Sequence, residues 1–185
     1  LESLRKSFPP PVSDPVHDGY VVFSILRALD QVDALKTQAP ILGVPPGSIS
    51  MHQNVTVVMG IIASCFRYDG PRRRIVLTEL EFPTNMYLFE GFARYGAEIV
   101  YVASDNSIRN DLDRLLDAID ERTVLVPLSL VLFRSSCIQD ARAVIEKAHR
   151  VGAHVILDVY QAAGTVPLDS AALEADFAVG GSVKW

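Results

Sequence analysis

Lys184 ends the run Ala178-Val179-Gly180-Gly181-Ser182-Val183, which is apolar and small enough to be buried. A buried lysine is costly unless it has a special role. Desolvation lowers its pKa and favours the neutral amine, the form that attacks an aldehyde to make a Schiff base. A place on a surface loop is the competing reading. Asp158 closes the apolar run His154 to Val159 and needs a cationic or donor partner there. Such a carboxylate can keep a pyridine-type ring nitrogen protonated and so make the ring an electron sink. A cap for the next helix is the bland alternative.

Gln53 and Asn54 stand where a second helix should begin, and there backbone N–H groups and side-chain amides can meet a phosphate at the positive dipole end. Asn is also an ordinary N-cap. Phe82 opens Phe82-Pro83-Thr84-Asn85; Pro83 fixes the backbone, and the ring could stack on a flat cofactor or merely line the core. His17, His52, His149 and His154 show no metal-binding spacing, so no metal is expected, and His154 reads as structural. Arg72-Arg73-Arg74 reads as a solvated lead-in to a strand.

The elements that must position these residues follow from periodicity. Val21, Val22, Ile25, Leu26, Leu29, Val32 and Leu35 recur at helical spacing, which predicts a helix over 20–36. A turn at Pro45-Pro46-Gly47 leads through Ser48-Ile49-Ser50 into the second helix, whose run Val55 to Phe66 reads as buried and is too short to span a bilayer. Beyond the polar loop 69–73, strands over 75–80, 98–102, 123–128 and 154–159 alternate with helices over 85–95, 111–120 and 139–151. Gly96 and Gly152 sit where left-handed caps are wanted. Strands apolar on nearly every residue imply helices on both faces of a mainly parallel sheet, an α/β three-layer α/β/α domain. Ligands of such sheets bind beyond the carboxyl ends of the strands, which singles out Phe82 to Asn85, Asp158 to Gln161, and Ser182 to Lys184.

The chain has 185 residues, 49% hydrophobic, with a net charge of -5, which suits one domain with a substantial core. No global positive field exists for nucleic acid or an anionic membrane. Cys65 and Cys137 lie in apolar stretches without a CxxC partner, and a reducing cytoplasm is expected. Residues 1–19 read as an arm and 20–185 as the domain. The sequence stops at Lys184-Trp185 just after a strand-like run, so the expectation is a fragment cut inside its fold.

Three blocks taken together, Glu81 to Asn85, Asp158 to Asp169, and Ala175 to Lys184, resemble kynureninases and related class V aminotransferase enzymes in order and spacing. The resemblance implies the large domain of a pyridoxal 5'-phosphate (PLP)-dependent transferase of fold type I, without its C-terminal small domain. It implies that Lys184 forms the Schiff base with PLP, Asp158 pairs with the pyridine nitrogen and Phe82 stacks on the ring. Gln53, Asn54 and Ser182 would hold the phosphate, with Asn85 and Gln161 as further ring-contacting residues. The implied protein is a cytoplasmic homodimer acting on a small amino-acid substrate, first of all by kynureninase-like hydrolysis. Transamination and cysteine desulfuration are the enzymatic alternatives. A non-catalytic remnant or binding module is the alternative of another class, since the family takes its substrate-carboxylate arginine from the small domain. A nucleotide-binding Rossmann domain is disfavoured by the missing glycine fingerprint. Kynureninases usually carry tyrosine, aspartate and histidine where this chain has Val183, Asn85 and Gln161, which bears on hydrolysis more than on PLP binding.

Overall fold

The computed structural model describes residues 20–24, 39–45 and 47–181. Among the described residues seven strands form one sheet in the order β2-β1-β7-β6-β5-β3-β4, and every pairing of these strands is parallel. They are β1 (Tyr20–Ser24), β2 (Ile49–His52), β3 (Arg74–Thr78), β4 (Glu98–Val102), β5 (Thr123–Ser129), β6 (His154–Asp158) and β7 (Phe177–Gly181). Among the described residues the helices include α1 (Val55–Ser64), α2 (Pro83–Glu90), α3 (Leu112–Ala118) and α4 (Ala141–Arg150), with a 3-10 turn over Gly91–Tyr95, and 39–42 are helical as well.

Successive side chains of a strand point to opposite faces, and two separate cores result. Val76, Val126, Val155, Leu157 and Ala178 face α3 and α4, and meet Leu115, Val144 and Ile145. Ile75, Leu77, Leu125, Ile156 and Val179 face α1 and α2, and meet Val58, Met59, Ile62 and Phe89. Strands apolar on both faces therefore sit between two helical layers, as the three-layer expectation requires.

Several local expectations change. Residues 20–24 form β1, in register between β2 and β7, where the helical pattern predicted a helix over 20–36; residues 25–36 lie outside those described. A run as apolar as Val21-Val22-Phe23 fits a helix or a sheet interior equally well, and pairing decides it. Ile49–His52 is β2 rather than a lead-in to α1. On α1 one face is buried, through Val58, Met59, Ile62 and Ala63, whereas Val57 is 41% exposed and Cys65 lies at the surface. The helix expected over 85–95 gives way at Gly91, a poor helix former, to the 3-10 turn. The arginine run is not simply solvated. Arg74 bonds Glu98 and Asp120, and Arg72 donates to the carbonyls of Thr123 and Gly152.

Gly96 and Gly152 adopt φ of 97° and 73°, the left-handed region in which a Cβ is strained. The chain visits β4 at the sheet edge after β3 and then returns to place β5 on the other side of β3. That reversal makes a topological switch point at the carboxyl ends of β3 and β5, the place where open α/β sheets open a crevice.

Candidate functional site

Asp158, the last residue of β6, is 8% exposed. Its Oδ2 accepts from Asn85 Nδ2 at 3.1 Å, and its Oδ1 from the Tyr160 N–H at 2.9 Å. The second contact closes a local turn, and no helix follows Asp158 before β7 for it to cap as the bland reading anticipated; the first joins it to another candidate 73 residues away. Asn85 is 2% exposed and sits in the first turn of α2. Pro83 at the helix start holds Phe82 extended at φ -62°, ψ 133°, so α2 begins directly beyond β3 and brings Asn85 to the edge of β6.

Phe82 is 42% exposed and does not line the core. Its ring meets Phe133 edge-on, with centroids 5.0 Å apart, and the Arg134 guanidinium lies 5.4 Å from the Phe133 centroid. Phe133 and Arg134 come from the loop after β5, which the sequence did not single out. Asn54 caps α1: its Oδ1 accepts from the Val57 N–H at 2.9 Å. One cap leaves further first-turn donors at such a helix end. Gln53 is exposed beside it, and Gln161 is half-buried in the turn that follows Asp158 and Tyr160. Lys184 and Ser182 lie outside the described residues.

The sequence also gave no role to Glu81, which lies immediately after β3 and is 2% exposed. Ser129 N–H donates to Oε1 and Oε2 at 3.1 Å each, Ser129 Oγ donates to Oε2, and Thr78 Oγ1 donates to Oε1 at 3.2 Å. Burial pushes its carboxyl up to about 7; the Ser129 and Thr78 donors pull back against that, and the charge of Asp158 adds to the rise. An acidic residue directly behind an apolar strand was the available signal. Behind Ser129, the Ser129 carbonyl accepts from Gln139 Nε2 at 2.6 Å, and Gln139 Oε1 accepts from Asn110 Nδ2 at 2.6 Å. The edge thus gathers an ordered carboxylate, a buried acid, an amide and a partly exposed aromatic ring.

The family model described as aminotransferase class-V matches residues 33–185. The chain belongs to the aminotransferase class-V family. This class-V sequence is 27% identical over 154 residues to a kynureninase of Burkholderia pseudomallei, covering 80% of the chain and 36% of that protein. It is 27% identical over 167 residues to a cysteine desulfurase of Haloferax volcanii, covering 88% and 39%. The class-V chain therefore spans well under half the length of these curated relatives.

Among solved structures, the cysteine desulfurase of Thermococcus onnurineus NA1 superposes with a TM-score of 0.70 at 20% identity, covering 79% of this chain and 37% of that one. A variant of C-DES, a cystine C–S lyase, with glycine covalently linked to its PLP cofactor, superposes with a TM-score of 0.69 at 24% identity, covering 80% and 40%. The class-V chain has the fold of these proteins, the fold type I architecture with its mainly parallel sheet. Among the described residues, no helix is long and apolar enough to cross a membrane.

Proposed function

We propose that this chain is the cofactor-binding part of a PLP-dependent enzyme that acts on an amino acid, in a cytoplasmic homodimer, with kynureninase-like hydrolysis as the leading activity. The observation that carries the reading is Asp158: a nearly buried carboxylate whose two oxygens are held by Asn85 Nδ2 and the Tyr160 N–H at the carboxyl edge of a class-V fold. A carboxylate fixed in this way suits a protonated ring nitrogen, because preorganised oxygens need no rearrangement to receive it.

The other assignments rest on the sequence resemblance and, for the described residues, on their place in the fold. Phe82, partly exposed at the same edge, offers a face for the ring. Asn54 and Gln53 at the start of α1 would hold the phosphate together with Ser182, at the positive end of the helix. Asn85 acts by orienting Asp158, and Gln161 lies in the turn just beyond it. Lys184 supplies the amine. When bound, PLP withdraws electrons from the substrate's alpha carbon, the chemistry on which hydrolysis, transamination and desulfuration all depend.

Cysteine desulfuration is the second reading, favoured by the likeness to desulfurase structures and by a Haloferax relative as similar as the kynureninases. An absorbance spectrum of the full-length protein with added PLP, before and after borohydride, tests the cofactor. The expected result is a visible Schiff-base band that borohydride traps on Lys184 and that Lys184→Ala lacks. A folded protein without that band would remove the PLP reading and leave the non-catalytic one. Turnover of kynurenine against cysteine then separates the two activities.

A further inference from the structure

Phe82 and Asn85 enter the reading above, whereas Glu81, in the same segment, has no part in it. Its placement has a backbone cause. Leu130 N–H donates to the Asp158 carbonyl on β6, and Ser129 N–H points the other way, toward β3 and Glu81. Strand N–H groups alternate in direction, so residue 127 would aim its own at β3. That residue is Pro127, which has no N–H. The register between β3 and β5 accordingly covers Arg74↔Thr123 and Ile75↔Leu125, irregular between the two, and stops short of Pro127. Glu81 fills the gap at the carboxyl ends, taking the donors of Ser129 and Thr78.

A neutral side chain could pin the two strands equally well. A carboxyl does something else, because Ser129 stands in register with Asp158 and the second acid therefore acts on the first. Among the described residues, β3 and β5 present hydroxyls and main chain to Glu81, α2 presents the neutral Asn85 to Asp158, and the charge that acts on Glu81 is that of Asp158 from β6. Two ionised carboxylates in one buried corner repel each other, and one then takes up a proton. Glu81 is the more deeply buried of the two, so its charged form is the more disfavoured, and Ser129 Oγ, a donor to its carboxylate, can turn to accept when the carboxyl is protonated.

We infer that Glu81 is a proton-holding positioning residue: its carboxyl, set against Ser129 Oγ, carries the proton that lets Asp158 stay an anion at the sheet edge. The charge of the edge then changes as Glu81 ionises. Burial holds that event near neutrality, about 7. The consequence for a ring nitrogen rests on the PLP reading; the proton on Glu81 does not.

An infrared difference titration of the protein without added cofactor tests this directly. The wild type should show a buried protonated carboxyl that ionises around neutrality, and Glu81→Gln should lose it. Asp158→Asn should move the midpoint down by about half a unit or more, because the repelling charge is gone, and Ser129→Ala should move it up, because a donor to the carboxylate is gone. Circular dichroism identifies a variant that has not folded, and the two midpoint shifts carry the test if Glu81→Gln is such a variant. No carboxyl ionising above the ordinary range, or a midpoint indifferent to Asp158→Asn, would overturn the inference. A protein that binds PLP through Lys184 but shows neither signal loses this inference alone. One that obeys both shifts yet takes up no PLP keeps it and loses the PLP reading.

Discussion

Asp158 is 8% exposed and both of its side-chain oxygens accept hydrogen bonds, Asn85 being a donor that comes from another element. Removing the amide would leave Oδ2 without that bond in a place water barely reaches. A hydrogen bond to a charged group contributes about 1.5–3 kcal/mol. Asn85→Ala should therefore lower folding stability by an amount in that range, read as a shift of the urea midpoint, and weaken PLP uptake in the spectral assay. An unchanged midpoint would mean that Asp158 finds another donor and that Asn85 does not orient it.

The elements are held by backbone requirements as much as by apolar pattern. Gly96 ends the 3-10 turn at φ 97°, and a Cβ there would lie 2.7 Å from the Tyr68 carbonyl oxygen. Both the left-handed backbone and the contact oppose any side chain, so Gly96→Ala should cost more than about 1 kcal/mol. The measurement is the thermal midpoint; no loss would mean that the turn can open without disturbing β4. The arginine run shows how an element's surroundings rewrite a pattern. Arg74 is charged like its neighbours, yet its side chain is 15% exposed because Glu98 on β4 and Asp120 after α3 receive it at the opening of β3.

At the scale of the whole molecule, two acidic sites set how stability follows pH. At the amino edge of the sheet, burial alone would raise Asp176, but His149, His154 and the Val155 N–H hold it well below the usual carboxylate range. Its hydrogen bond with Asp176 raises His149, against burial. The Asp176 contribution is present above about 3.8 and lost as pH falls below it; the His149 contribution is complete below about 6.5 and lost as pH rises through its higher folded value. Glu81 acts in the same direction as His149. Its folded value is raised from 4.5 to about 7, so the folded state holds the proton more tightly and stability declines as pH rises across that interval. That decline is on the order of 3 kcal/mol. Urea midpoints should therefore fall from pH 4.5 to 7, and Glu81→Gln should flatten the fall. A variant as steep as the wild type would assign the whole decline to other groups.

The sequence by itself determined the alternation of strands and helices, the two apolar faces of the sheet and the left-handed glycines, since each is written in local periodicity or in one residue's backbone freedom. It also pointed to Phe82 to Asn85 and Asp158 to Gln161 as segments at the carboxyl edge, because polar residues directly behind apolar strands mark that edge. Tertiary structure alone decided that Val21-Val22-Phe23 is a strand, because an apolar run has no preferred partner until β2 and β7 flank it. It alone decided that Asn85 meets Asp158 across 73 residues, and that Glu81 receives the Ser129 N–H beyond the point where Pro127 interrupts the pairing of β3 with β5. Those contacts depend on strand order, which reverses at β3 and β5, and no local pattern records the order in which strands pair.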